Sequence, residues 1–247
     1  MPDKFLPVKF TASIYTNNQE ITPEPNLMRA LYQDLAKFEV IPGAYNELDT
    51  KTSNIVTNRL RFYKLDNSLT INFGINRIDI QANYNATGVF NSIQAFCDQV
   101  IDILEIINKK YEKKSNRLGI VINLTSQNLD AKALTNDFKP FYHTTELFEN
   151  SVPTDWNNRA NYRYIRDFGS KKELCNNVYI FSYGAAEISI NGIIVRQNAV
   201  NLQLDINTIP EAQNIRFSAV DYTNFYNNSS KWLNDFYQSL ESRFNKS

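Results

Sequence analysis

Asn58-Arg59-Leu60-Arg61-Phe62-Tyr63-Lys64-Leu65-Asp66-Asn67-Ser68-Leu69-Thr70-Ile71-Asn72-Phe73-Gly74-Ile75-Asn76-Arg77-Ile78-Asp79-Ile80-Gln81-Ala82 alternates with a period of two. Leu60 and Phe62, then Leu69, Ile71 and Phe73, then Ile78, Ile80 and Ala82 share one face, because successive strand side chains point to opposite sides. Asp66-Asn67 and Gly74-Ile75-Asn76 interrupt the runs with turn residues, which predicts a three-stranded antiparallel meander. Its other face carries Arg59, Arg61, Arg77 and Asp79. A sheet with one apolar face needs a cover. The next segment supplies one: Phe90, Ile93, Phe96, Cys97, Val100, Ile101, Leu104 and Ile107 recur at helical spacing over about 89–113, a stripe wide enough to lie on a sheet.

Toward the N-terminus, residues 7–15 alternate as a strand. A helix follows, with Thr22 as N-cap, Pro23 and Pro25 in the first turn, and Leu27, Leu31, Leu35 and Phe38 on one side. Ile41-Pro42-Gly43 is read as its end. Toward the C-terminus, Leu118, Ile120, Ile122 and Leu124 resume strand alternation, and the polar stretch 126–138 reads as a link. Beyond it, 140–148, 160–168, 177–183, 186–191, 193–197, 201–206 and 214–219 read as extended. Asn191-Gly192 between Ile188, Ile190, Ile193 and Val195 predicts a hairpin, because a two-residue type I′ turn needs positive φ at both positions. A helix over about 222–244 closes the chain, with Phe225, Trp232, Leu233, Phe236, Tyr237, Leu240 and Phe244 on one side.

Strands running into a long helix thus occur twice, and the expectation is an α+β fold of two similar lobes, each an antiparallel β-sheet backed by a long amphipathic helix. The lobes are placed at 1–126 and 127–247, with one continuous domain as the alternative.

With 43% apolar residues the chain can bury a substantial core. Lys plus Arg and Asp plus Glu are each 26, so no overall field draws it to a polyanion or an anionic membrane. Met1-Pro2-Asp3-Lys4 starts no secretory signal, and Asp98, Asp102 and Glu105 interrupt the longest apolar helix, so a cytoplasmic protein without a membrane partner is expected. Cys97 and Cys175 are then read as free thiols.

Residues that betray chemistry are scarce. His143, set among Phe141, Tyr142 and Thr144, is the only His and is read as structural. His143, Cys97 and Cys175 are one ligand short of a tetrahedral zinc site, and no Gly-rich phosphate loop occurs, so neither metal nor cofactor is expected. Asp130 with Asp137-Phe138-Lys139 is the nearest approach to a metal-dependent nuclease pattern, and solvated loop charge explains it. Glu105 and Lys109 read as an i, i+4 pair on a solvated helix face. Lys109, Lys110, Lys113, Lys114 and Arg117 cluster where cations complement a helix dipole. Tyr162-Arg163-Tyr164-Ile165-Arg166 mixes aromatics with Arg as a base-stacking strand does, and Tyr162, Arg163, Tyr164 and Arg166 are the candidate binding residues. The same residue types also make protein interfaces.

The layout, with Arg117-Leu118-Gly119-Ile120-Val121-Ile122-Asn123, Leu202-Gln203-Leu204-Asp205-Ile206-Asn207 and the aromatics Phe225, Trp232 and Phe236 of the last helix, resembles a sporadically distributed family of uncharacterised bacterial proteins of about 250 residues. The patchy distribution of that group implies an accessory role, such as mobile-element or phage conflict. The expected function is a non-catalytic protein–protein interaction, with another protein or a second copy of the chain as partner. The alternatives are nucleic-acid binding through the aromatic and Arg strand, and an enzyme whose carboxylate site forms only in three dimensions.

Overall fold

The computed structural model describes residues 5–48, 56–83, 92–126, 139, 153–169, 171–190 and 193–244. Nine strands form one antiparallel sheet: β1 (Phe5–Tyr15), β2 (Ile41–Leu48), β3 (Val56–Tyr63), β4 (Leu69–Phe73), β5 (Ile78–Asn83), β6 (Arg117–Ser126), β7 (Trp156–Asp167), β8 (Lys172–Ile190) and β9 (Ile193–Thr208). Their order is β2-β3-β4-β5-β1-β6-β9-β8-β7. Among the described residues three α-helices accompany them: α1 (Pro25–Leu35), α2 (Ile93–Tyr111) and α3 (Ala219–Phe244).

The single sheet overturns the two-lobe expectation. β6 pairs with β9 from Gly119↔Asn207 to Thr125↔Asn201, so strands from both halves of the chain share one ladder. The helices do not back separate sheets. α2 and α3 lie against each other, with the Cys97 thiol of α2 meeting the Ser230 backbone of α3. Amphipathic spacing shows that a helix needs an apolar surface, and it does not show which strands supply that surface.

The meander of β3, β4 and β5 is antiparallel as expected, and its predicted inward side chains are all buried. Phe10 of β1 stacks on Phe96 of α2 at 5.3 Å, and Phe168 meets Phe217, Phe225 and Trp232 at 6.0, 5.4 and 5.8 Å. Each such ring contributes about 1.5–3 kcal/mol by leaving water. Tyr226 of α3 donates its hydroxyl to the Ser13 carbonyl at 3.0 Å, tying the helix to the central strand.

Several boundaries differ from expectation. Glu24, not Thr22, caps α1, with Pro25 in its first turn. A 3-10 turn over Ala36–Phe38 follows, and Glu39 closes it in the left-handed region with φ 58. Ile41-Pro42-Gly43 then opens β2, where an edge strand tolerates proline. The pieces read over 177–191 and 193–206 are two long strands paired down to Ile190↔Ile193. Residues 214–219 form no strand, only a bridge between Ser115 and Phe217. His143, Asp130, Asp137, the segment 140–148, the link over 127–138 and the Asn191-Gly192 turn itself lie outside the described residues.

Candidate functional site

The three described α-helices pack on one side of the sheet. Among the described residues no helix or strand lies over the other side, where polar side chains alternate with the core positions. Register lines up Gly43, Arg61, Asn72, Asp79, Ser13, Gly119, Asn207, Asn176 and Arg163 across all nine strands. Hydrogen bonds tie this row together. Ser13 donates to Asp79 Oδ1 at 2.5 Å, and Arg77 Nε to Asp79 Oδ2 at 2.8 Å. On the other half, Arg117 donates to Asn207 Oδ1 at 3.0 Å, Asn176 to the same oxygen at 3.2 Å, and Arg163 Nε to Asn176 Oδ1 at 3.2 Å.

Two tyrosines lie among these arginines. The Tyr15 ring has the Arg117 guanidinium 4.7 Å from its centroid and that of Arg77 at 5.6 Å. Tyr63 has Arg61 at 4.7 Å. Arginines held against rings keep their charge, and here Arg77 gives its Nε and Nη2 to Asp79 and Arg117 its Nη2 to Asn207. The Nε atoms of Arg61 and Arg117 are buried with no hydrogen-bond partner among the described residues. Asp205, in the next row, accepts from Asn207 Nδ2 at 2.8 Å, and burial pushes its carboxyl above the usual range against the pull of that bond, Arg117 and Arg159. Gly119 keeps the centre of the row low: a Cβ there would meet Asn207 Cβ at 3.4 Å.

The candidate residues Tyr162, Arg163, Tyr164 and Arg166 all lie on β7, and the pleat divides them. Arg163 faces the open side, with Asn176 and an ion pair to Glu211. Tyr162, Tyr164 and Arg166 face the helix side and line a cleft with Tyr179, Trp232 and Phe236. The structure therefore brings three of the four together and separates the fourth.

The cationic cluster near the end of α2 disperses. Lys110 bonds Asp34 at 2.9 Å, and Lys113 is buried against the Asn17 carbonyl at 2.6 Å and Glu20. Only Arg117 joins the open face. Arg59 is also committed elsewhere, donating to the Phe73 and Asn18 carbonyls at 2.9 and 2.6 Å. Tyr15, Asn176 and Asn207 were not visible as site residues in the sequence; the one available signal was the Arg-bearing second face of the meander. Cys97 and Cys175 are free and buried, and burial pushes both thiols up to about 12.

No family model matches the sequence, and no curated protein matches it. Among solved structures the chain is similar to a rolling circle replication initiator protein from Geobacillus stearothermophilus, with 10% identity and a TM-score of 0.32 over 92% of this chain and 79% of that one. A likeness at that score carries no functional argument. Among the described residues no helix is long and apolar enough to cross a membrane.

Proposed function

We propose that this protein binds single-stranded nucleic acid across the open face of its sheet. The observation that carries the reading is Tyr15 with the guanidinium groups of Arg77 and Arg117 at its ring, one same-face position along the strands from the row that holds Arg61 and Arg163. Rings on a sheet face that no described helix or strand covers can stack bases, and the arginines around them can meet phosphates. Strands spaced at about 4.8 Å make nine of them roughly 40 Å wide, room for a run of several nucleotides. With zero net charge on the whole chain, affinity comes from these local contacts and not from long-range attraction.

The test is fluorescence anisotropy with labelled single-stranded oligonucleotides at about 50 and 200 mM salt. Affinity is expected to fall steeply with salt, and the Arg117→Ala, Arg163→Ala double variant to flatten the salt slope by about 1–2. Tyr15→Ala is expected to lose about 1–3 kcal/mol of binding. Equal affinity in wild type and both variants would remove the open face from consideration.

A second reading, association with another protein, draws on β7. It is the last strand of the sheet, its outer edge has no partner strand among the described residues, and Ile165 is 70% exposed. A stoichiometric protein retained on the tagged chain after nuclease treatment, and lost on placing a proline in β7, would favour it.

A further inference from the structure

We propose that the cleft on the helix side of β7 is a second, separate site, which takes one nucleobase together with its phosphate. It lies between β7, β8 and α3, has a volume of about 230 Å³, and is walled by Tyr162, Tyr164, Tyr179, Trp232 and Phe236 around Arg166. Sites for drug-sized ligands run to about 300–1,000 Å³, so this one holds a single ring system. The aromatic walls favour a flat occupant.

Arg166 decides the charge of that occupant. Its guanidinium sits 5.1 Å from the Trp232 centroid and 5.7 Å from that of Tyr164. Nη2 donates to the Asn177 side-chain oxygen at 2.7 Å once that amide is turned to satisfy both its ends, while Nε is buried with no hydrogen-bond partner among the described residues. Arg77, Arg163 and Arg216 have Asp79, Glu211 and Glu173 as ion-pair partners; among the described residues Arg166 has none. Asp235 in the same wall acts on the Arg166 charge without forming an ion pair with it, which leaves the planar fork of the guanidinium free to meet phosphate oxygens. An apolar peptide side chain would leave the Nε donor buried without a partner. Asp235, in the same wall, can accept from a ring N–H or an exocyclic amine. The chemistry is therefore a base with its phosphate, supplied either as a free nucleoside monophosphate or as the phosphorylated end of a strand.

This inference does not rest on the open-face reading, and the two are tested apart. The full chain is titrated with the four common nucleoside 5′-monophosphates, the matching nucleosides and inorganic phosphate, by calorimetry and tryptophan fluorescence. At least one monophosphate is expected to bind, and at least tenfold more tightly than its nucleoside or phosphate alone. Arg166→Gln and Tyr164→Ala are each expected to weaken it at least tenfold; Tyr164 is 52% exposed, so its variant keeps the fold even if Arg166→Gln does not. Arg163→Ala leaves monophosphate binding intact, and Arg166→Gln leaves binding of an unphosphorylated oligonucleotide intact. Competition by a 5′-phosphorylated oligonucleotide identifies a strand end as the source; no competition identifies the free nucleotide. No binding of any monophosphate at millimolar concentration, or equal binding in wild type and Tyr164→Ala, would overturn the proposal.

Discussion

Tyr63 can lie along the open face because Gly43, beside it on β2, has no side chain: a Cβ there would stand 2.8 Å from Tyr63 Cε1. Gly43→Ala is therefore expected to push the ring aside and weaken oligonucleotide binding several-fold. Because the ring can swing into solvent, stability should change by less than about 1 kcal/mol, as read from urea melts. Asp205 gives the open face a pH dependence. Its raised pKa means that it takes up a proton on acidification sooner than an ordinary Asp, removing the negative charge among Arg117, Arg159 and Asn207. Oligonucleotide affinity is expected to rise as pH falls through that value, and Asp205→Asn to bind more tightly at neutral pH with this dependence gone.

Burial raises the Tyr226 hydroxyl well above 10.0 and Tyr222 to about 12, so folding favours their neutral forms. The stability they contribute is complete below pH 10 and is lost as pH climbs toward 12. Tyr226→Phe is expected to cost about 1 kcal/mol at pH 7, the net worth of a typical hydrogen bond. That deficit should shrink or reverse near pH 11, which urea midpoints at the two pH values would show. At this scale the residues of β7 were legible as types but not as a site. Period two separates Arg163 from Tyr162, Tyr164 and Arg166, yet which side the helices cover depends on Phe10, Phe168 and Tyr179 meeting α2 and α3 from distant parts of the chain.

Among the elements, α2 is the best determined by its own sequence. Ser92 accepts from the Ala95 N–H at 3.1 Å, and Glu112 ends the helix in the left-handed region, returning its N–H to the Asn108 carbonyl. Ser92→Ala is expected to lower stability by about 1 kcal/mol in thermal or urea unfolding. The meander, the two long helices and the strands around Asn191-Gly192 could be read because their periods are unbroken. Other elements were hidden where a local signal opposed the tertiary one. Ile41-Pro42-Gly43 looks like a helix stop and is the start of an edge strand. Gly184-Ala185 looks like a break and is mid-strand, paired with Ala199 and Asn198. In both places cross-strand pairing outweighs the weak preference of the residues themselves.

At the scale of the whole molecule, the β6–β9 ladder makes the two halves one sheet, and unfolding should reflect that. Tryptophan fluorescence, which reports Trp156 and Trp232, and far-ultraviolet circular dichroism are expected to give coincident urea transitions. Two separated transitions would mean that the halves melt independently despite the shared ladder. The repeated layout of strands and helix was real in the sequence. It could not reveal that the apolar rows of β6 and β9 belong side by side, because that match joins residues about eighty positions apart and leaves no local pattern.

The same ladder has a consequence for synthesis on the ribosome. β1 can pair with β5 and β6 once residue 126 has emerged, but the start of β9 follows only about 70 residues later, which is roughly 4–14 s at 5–20 residues per second. For that interval the free edge of β6 belongs to a sheet that is otherwise ready to fold, and unpaired edges recruit neighbouring chains. The yield of native protein should therefore depend on how fast translation crosses the interval, and on whether a chaperone guards that edge, more than on the stability of the finished sheet.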